Sequence, residues 1–200
     1  VNGGFEYYQL KKIKTIKKVT KKFYKNFDNK KYKEYLNLFE LNENKKIKDL
    51  SQGMKVKYSI CLALSHNAKL LLLDEPTSGL DPISREEILD IFLDLIKKEN
   101  ISILFSTHIT SDLQRCADNI IYIKKGKIIF NKNIDNLQNE YKCVRIQKNN
   151  LNKNIIKDII GLKETKNGYE GLIKNKSLQD NRYEYIDTNI ENIITYLERG

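Results

Sequence analysis

Asp74 and Glu75 follow directly on the apolar run Lys69-Leu70-Leu71-Leu72-Leu73 and precede Pro76. The run has the pattern of a strand buried on both faces, and an Asp at the carboxyl end of such a strand is where open α/β sheets place ligand chemistry. A carboxylate there can hold Mg²⁺, mostly through water, beside nucleotide phosphates. Glu75, one residue further, can face a water attacking the terminal phosphoryl group, orient it and take its proton. A second apolar run, 101–106, ends in Ser106-Thr107-His108. His108 could donate a hydrogen bond to the same phosphate. Ser51 and Gly53 stand at the start of a predicted helix. Its unpaired N–H groups and positive dipole end suit an anion, and Gly53 permits close approach of the backbone. Each feature alone has a plainer reading. Acidic pairs after apolar runs are common, a lone His is commonly a surface or satisfied core residue, and Ser51 serves equally as a helix cap.

These residues need elements to hold them. Residues 10–27 form an amphipathic helix with Leu10, Ile13, Ile16 or Lys17, Thr20 and Phe23 or Phe27 along one face. Lysines fill the other face, either as a solvated surface or as phosphate contacts. Asp28 caps a second helix over 29–40, with Tyr32, Tyr35, Leu36 and Phe39 inward. A helix follows Ser51 and runs to Ser65. Asp81 caps a helix begun by Pro82 and running to Lys98, with Ile83, Ile88, Ile91, Phe92, Leu95 and Ile96 inward. The pattern then gives a buried strand over 101–106, a helix over 110–117 and a hairpin of strands 119–124 and 127–131 around Lys125-Gly126. Strand, helix, strand with short connections predicts an α/β fold with a parallel sheet. From about residue 141 the texture changes to a small α+β appendage. Its strands are expected over 142–147, 162–166, 169–174 and 183–187, and its helices over 151–160 and 189–198. Thr188-Asn189-Ile190-Glu191 reads as the capping box of the last helix.

The chain has 200 residues, 40% hydrophobic and 31% charged, which excludes a wholly disordered chain and a multi-span membrane protein. Its longest strongly apolar stretch, Leu70–Leu73, is far below the roughly 20 residues that cross a bilayer. The first residues lack the apolar run of a signal peptide. There are 36 Lys and Arg against 26 Asp and Glu, a net charge of +10. That excess permits nucleic-acid or anionic-membrane contact, but a composition rich in Lys, Asn and Ile throughout is the stronger account of it, and nucleic acid is not an expected partner. The three cysteines, Cys61, Cys116 and Cys143, are far apart and form no metal-ligand spacing. They read as reduced thiols, which points to the cytosol.

Taken together and in order, Leu50-Ser51-Gln52-Gly53-Met54-Lys55, the run Leu70 to Pro76, Ser78-Gly79-Leu80-Asp81 and Ser106-Thr107-His108 resemble the ATP-binding subunits of ABC transporters. The first looks like the ABC signature in the form found in bacterial exporters of the ABC-2 and antibiotic-resistance kind. The others look like Walker B with its catalytic Glu, the D-loop and the switch histidine. The resemblance covers about residues 1–140 and implies an ABC-type P-loop NTPase with a three-layer core. Within it, 10–65 would be the helical subdomain and 66–140 the Walker B, D-loop and switch core, with 141–200 a C-terminal extension. It also implies ATP and Mg²⁺ as ligands. Asp74 would serve the metal, Glu75 would be the general base and His108 would sense the γ-phosphate. Ser51, Gln52 and Gly53 would contact ATP held by a second subunit, and Asp81 would couple the two sites. The implied partners are a second ATPase subunit, identical or paralogous, and an integral membrane subunit. The implied place is the inner face of the cell membrane.

The pattern breaks at one point. The P-loop sequence G-x-x-x-x-G-K-[ST] does not occur; Gly3-Gly4 and Gly126-Lys127 do not supply it. The Q-loop of the family would fall near Val1–Gly4, where no Gln stands, and Gln9 is the nearest. The expectation is an N-terminally incomplete ATPase domain, poorly soluble or partly folded and inactive alone. Two other readings stay open. One is a soluble ABC-type ATPase acting on nucleic acid or ribosomes. The other is a non-catalytic remnant.

Overall fold

A computed structural model describes residues 6–151, 153–174 and 181–200. The chain forms two compact units, Val1–Ile109 and Thr110–Gly200.

The first unit carries α1 (Ile13–Phe23), α2 (Asn29–Leu38), α3 (Gln52–Ser65), β1 (Leu70–Asp74), α4 (Pro82–Glu99) and β2 (Ser102–Ser106). Asp28 starts α2 by accepting the Lys30 and Lys31 N–H groups, as its position before the apolar-periodic residues requires. Ile13, Ile16, Tyr32, Tyr35, Leu36, Tyr58 and Cys61 are buried. The Tyr58 hydroxyl donates to the Ile13 carbonyl at 2.7 Å, and the Asp28 N–H donates to the Ser65 carbonyl at 2.6 Å. These bonds seat α3 beneath the first two helices. The expected helix 10–27 is shorter than its periodicity suggested. Leu10 precedes it, the extended backbone of Tyr24 ends it, and Leu10 and Phe23 are exposed while Phe27 is buried.

β1 and β2 pair in parallel, with α4 as the crossover between them. Phe92 of α4 packs on Phe105 of β2, ring centroids 5.8 Å apart. Leu71 and Leu73, on the same side of the pleat as Phe105, are buried. The other side carries Leu70, Leu72 and Leu104, which are 52%, 59% and 55% exposed. The expectation of strands buried on both faces is therefore corrected. A strand sends alternate side chains to opposite faces, and among the described residues only one face of this pair is covered. Ile83 and Ile96 of α4, expected inward, are exposed, and Leu89 is buried instead.

The second unit holds α5 (Thr110–Cys116), the hairpin β3 (Asn119–Lys124) and β4 (Lys127–Asn133), and α6 (Ile134–Glu140). These are followed by β5 (Tyr141–Ile146), α7 (Lys153–Asp158), β6 (Ile160–Thr165), β7 (Gly168–Lys174), β8 (Glu184–Ile186) and α8 (Ile190–Arg199). Lys125 and Gly126 turn the hairpin with φ of +49° and +74°, the two positive values that a two-residue turn of this hand demands. The last four strands form an antiparallel sheet in the order β6-β7-β5-β8. Ile120, Tyr122 and Phe130 of the hairpin share one core with Leu137, Cys143, Leu172, Ile190 and Ile193. By packing, then, the hairpin shares a core with the C-terminal residues. Sequence reasoning left α6 out; Asn133 starts it by accepting two N–H groups. It also misplaced the cap of α8. Asn189 accepts the Asn192 N–H, whereas the Thr188 hydroxyl accepts the N–H of Cys143 in β5. Among the described residues no helix is long and apolar enough to cross a membrane.

Candidate active site

The strand register brings the chemistry-bearing residues of the first unit to one sheet end. Asp74 closes β1 and stands opposite Ser106, which closes β2. The Ser106 hydroxyl donates to Asp74 Oδ1 at 2.5 Å, the length of a charge-assisted O–H···O⁻ bond. The Glu75 N–H is donated to Ser106 twice, to its carbonyl at 3.2 Å and its Oγ at 3.1 Å. Glu75 has a φ of +46°, a left-handed backbone that residues with a side chain seldom adopt. The chain then turns, with the Ser78 N–H donated to the Glu75 carbonyl at 3.2 Å and Pro76 and Thr77 buried beneath.

That turn sets the Glu75 carboxylate beside the ring of His108, Oε2 to Nδ1 2.9 Å. The imidazole is largely exposed, and the Glu75 side chain is 27% exposed. Oε2 itself is buried and accepts no well-directed hydrogen bond.

The second set lies at two helix starts. The Ser51 Oγ accepts the Met54 N–H at 3.2 Å and so caps α3. Asp81 Oδ1 accepts the N–H groups of Ile83 and Ser84 at 3.1 and 3.0 Å and caps α4. A hydrogen bond from the Ser84 side chain, followed by the Ser84 N–H, holds the Asp81 carboxyl below the usual carboxylate range. Gly53 is buried, its α-carbon turned to Ser84 and Leu80, and Gln52 beside it is exposed. The Lys57 ammonium pairs with Glu87 at 2.7 Å from α3 to α4. Gly53 against Ser84 and Lys57 against Glu87 thus set the N-terminal turns of α3 and α4 side by side. Asp74, Glu75 and His108 form the other group. Sequence reasoning quoted Ser106 without giving it a task; its signal is the in-register pairing with Asp74. Gly3 and Gly4 lie outside the described residues.

Mg²⁺ suits this donor set in a limited way. Asp74 is exposed and one of its oxygens is engaged by Ser106, which leaves the other for a cation. Among the described residues no group of three or more His, Cys, Asp or Glu side chains is placed to hold a metal. An ion there would be held by one carboxylate, water and phosphate oxygens.

A parallel strand pair with acidic residues at its carboxyl end and a covering helix defines an α/β fold, and the solved structures agree. The chain superposes on an ATP-binding subunit of an ABC transporter with a TM-score of 0.55 at 24% identity, covering 66% of this chain and 56% of that one. The fold is that of the ABC-type ATPase cassette, a P-loop NTPase fold. Residues 4–111 match the family described as "AAA domain, putative AbiEii toxin, Type IV TA system", and the chain belongs to that family. Curated relatives include ATP-binding proteins of transporters. A lantibiotic transport ATP-binding protein of Streptococcus pyogenes is 41% identical over 97 residues, 48% of this chain and 42% of that protein. A bacitracin transport ATP-binding protein of Bacillus licheniformis is 37% identical over 117 residues, 58% of this chain and 38% of that protein. The matched part therefore spans about two-fifths of the length of these relatives.

Proposed function

We propose that the chain is part of an ATP-hydrolysing subunit that powers an exporter of the ABC type. The observation that carries this is the Glu75 carboxylate. It stands at the carboxyl end of β1 with Oε2 2.9 Å from His108 Nδ1, one residue from a cation-competent Asp74, in a chain whose relatives are transport ATP-binding proteins. Glu75 is the general base, its carboxylate taking the proton of a water. His108, exposed on the outer side of that carboxylate, holds the terminal phosphate. Asp74 would hold Mg²⁺, which when bound neutralises charge on the phosphate oxygens. Ser51, Gln52 and Gly53 contact ATP carried by a second subunit, and Asp81 links the two sites. The ATPase part extends to about residue 140, with 141–200 as an extension. The dimer works on a separate membrane subunit at the cytoplasmic face. The kinship with lantibiotic and bacitracin transport proteins supports a cargo of that peptide-antibiotic kind.

The test is Glu75→Gln in the intact protein, which keeps the shape of the side chain and removes its basicity. ATP turnover should fall by about 10²- to 10⁴-fold, the usual contribution of a general base, with ATP binding retained. Turnover equal to the parent would refute the assignment.

A further inference from the structure

We infer that Ser106 is the positioning residue of this site, a role that rests on the reading of Asp74 and Glu75 just given. A serine hydroxyl has one proton to donate and two lone pairs to accept with. Ser106 spends the proton on Asp74 Oδ1 at 2.5 Å and offers a lone pair to the Glu75 N–H at 3.1 Å. One oxygen atom therefore ties the two acidic residues together across the strand pair. The β1–β2 register, with Asp74 opposite Ser106 at the last position of both strands, makes this possible.

Two consequences follow. At Asp74, a donor fixed on Oδ1 sets the rotation of the carboxylate and assigns the other oxygen to the cation. At Glu75, the backbone is held at a φ of +46°, a conformation that persists only where its surroundings over-determine it. The Ser106 carbonyl and hydroxyl together clamp the Glu75 N–H, and this clamp keeps the Glu75 carboxylate turned to His108. Ser106 touches neither phosphate nor water in this scheme. A strand end needs no hydroxyl for its own sake, and an exposed serine paired only with solvent would leave both acidic residues free to rotate.

The experiment compares Ser106→Ala and Ser106→Thr in the intact protein, Thr keeping the hydroxyl and suiting a strand. Two quantities are read. The first is the exchange rate of the Glu75 amide hydrogen without nucleotide. It should rise about threefold to tenfold in Ser106→Ala, the loss of one ordinary hydrogen bond, and stay near the parent in Ser106→Thr. The second is steady-state hydrolysis. Ser106→Ala should lower kcat and raise the Mg²⁺ concentration for half-saturation, each about tenfold, with the KM for ATP within twofold. Ser106→Thr should recover both. Parental amide exchange with an unchanged Mg²⁺ requirement in Ser106→Ala overturns the inference, as does a Thr variant no better than the Ala variant. If Glu75→Gln hydrolyses ATP like the parent, the reading of the site falls, and amide exchange alone then decides whether Ser106 holds Glu75.

Discussion

Gly161 and Gly126 have nearly the same backbone, φ +67° and +74°, but different surroundings. Both lie in the second compact unit. A β-carbon added at Gly126 meets nothing within 4 Å. One added at Gly161 would sit 2.1 Å from the Tyr196 carbonyl oxygen and 2.7 Å from its carbon, both backbone atoms of α8. Gly126→Ala therefore carries only the left-handed penalty, about 1–2 kcal/mol. Gly161→Ala carries that penalty and must also push α8 away from β6. Ile190, Ile193 and Tyr196 of that helix lie in the core shared with the hairpin. Displacing packed elements adds about 1–3 kcal/mol, so the total is on the order of 2–5 kcal/mol. Urea unfolding followed by far-ultraviolet circular dichroism separates the two, since the free-energy difference follows from the shift in midpoint at constant slope. Gly161→Ala should be the less stable variant by more than about 1 kcal/mol. Equal losses would show that the approach of α8 to β6 is looser than described, and would refute the reasoning.

Gly53→Ala should fold as well as the parent. The added β-carbon would lie 3.4 Å from Ser84 Cβ, an ordinary contact, and alanine stabilises a helix by at most about 1 kcal/mol over glycine. A parental melting temperature with lost ATP turnover would place the need for glycine on a ligand approaching from outside; a marked loss of stability would count against the packing described. Tyr58→Phe should cost about 0.5–1.5 kcal/mol, the net worth of the buried bond its hydroxyl gives the Ile13 carbonyl; a midpoint equal to the parent would refute that. Burial pushes the Cys61 thiol up to about 12 and the Tyr58 and Tyr32 hydroxyls further. The folded state holds these protons more tightly than the unfolded one, so their contribution is complete below about pH 9 and is lost as pH rises toward 12. Urea midpoints should fall across that range and be flat, as far as these groups go, just below it.

Local chemistry was legible wherever a single residue type decides it. Asp28, Ser51 and Asp81 cap α2, α3 and α4 because their side-chain oxygens meet the first free N–H groups. The hairpin turn at Lys125-Gly126 was legible for the same reason. Burial was less so. A run of four leucines has no alternation, and whether Leu70 and Leu72 are covered depends on what packs on their face, which periodicity does not encode. Leu10 and Phe23 fit the helical period but fall outside or at the end of α1, where the chain changes direction. At α8 two capping residues stood side by side. The winner depended on β5, since the Cys143 N–H occupies Thr188 and leaves Asn189 to cap. The task of Ser106 was hidden similarly, because Asp74 and Ser106 are 32 residues apart and meet only through strand register.

The residues proposed to meet ATP are also the residues that build the fold around it. Ser51 and Asp81 spend their side-chain oxygens on helix N–H groups, so an alanine at either place removes a cap before it removes a ligand contact. Loss of activity in such a variant would say little about nucleotide binding. Glu75 and Ser106 differ. The Glu75 carboxylate faces the His108 ring and caps no helix. The Ser106 hydroxyl bonds to Asp74 and the Glu75 N–H, while the parallel ladder is carried by backbone atoms. Substitution at these two positions reaches the chemistry with the scaffold intact, so the question of catalysis is best put to them.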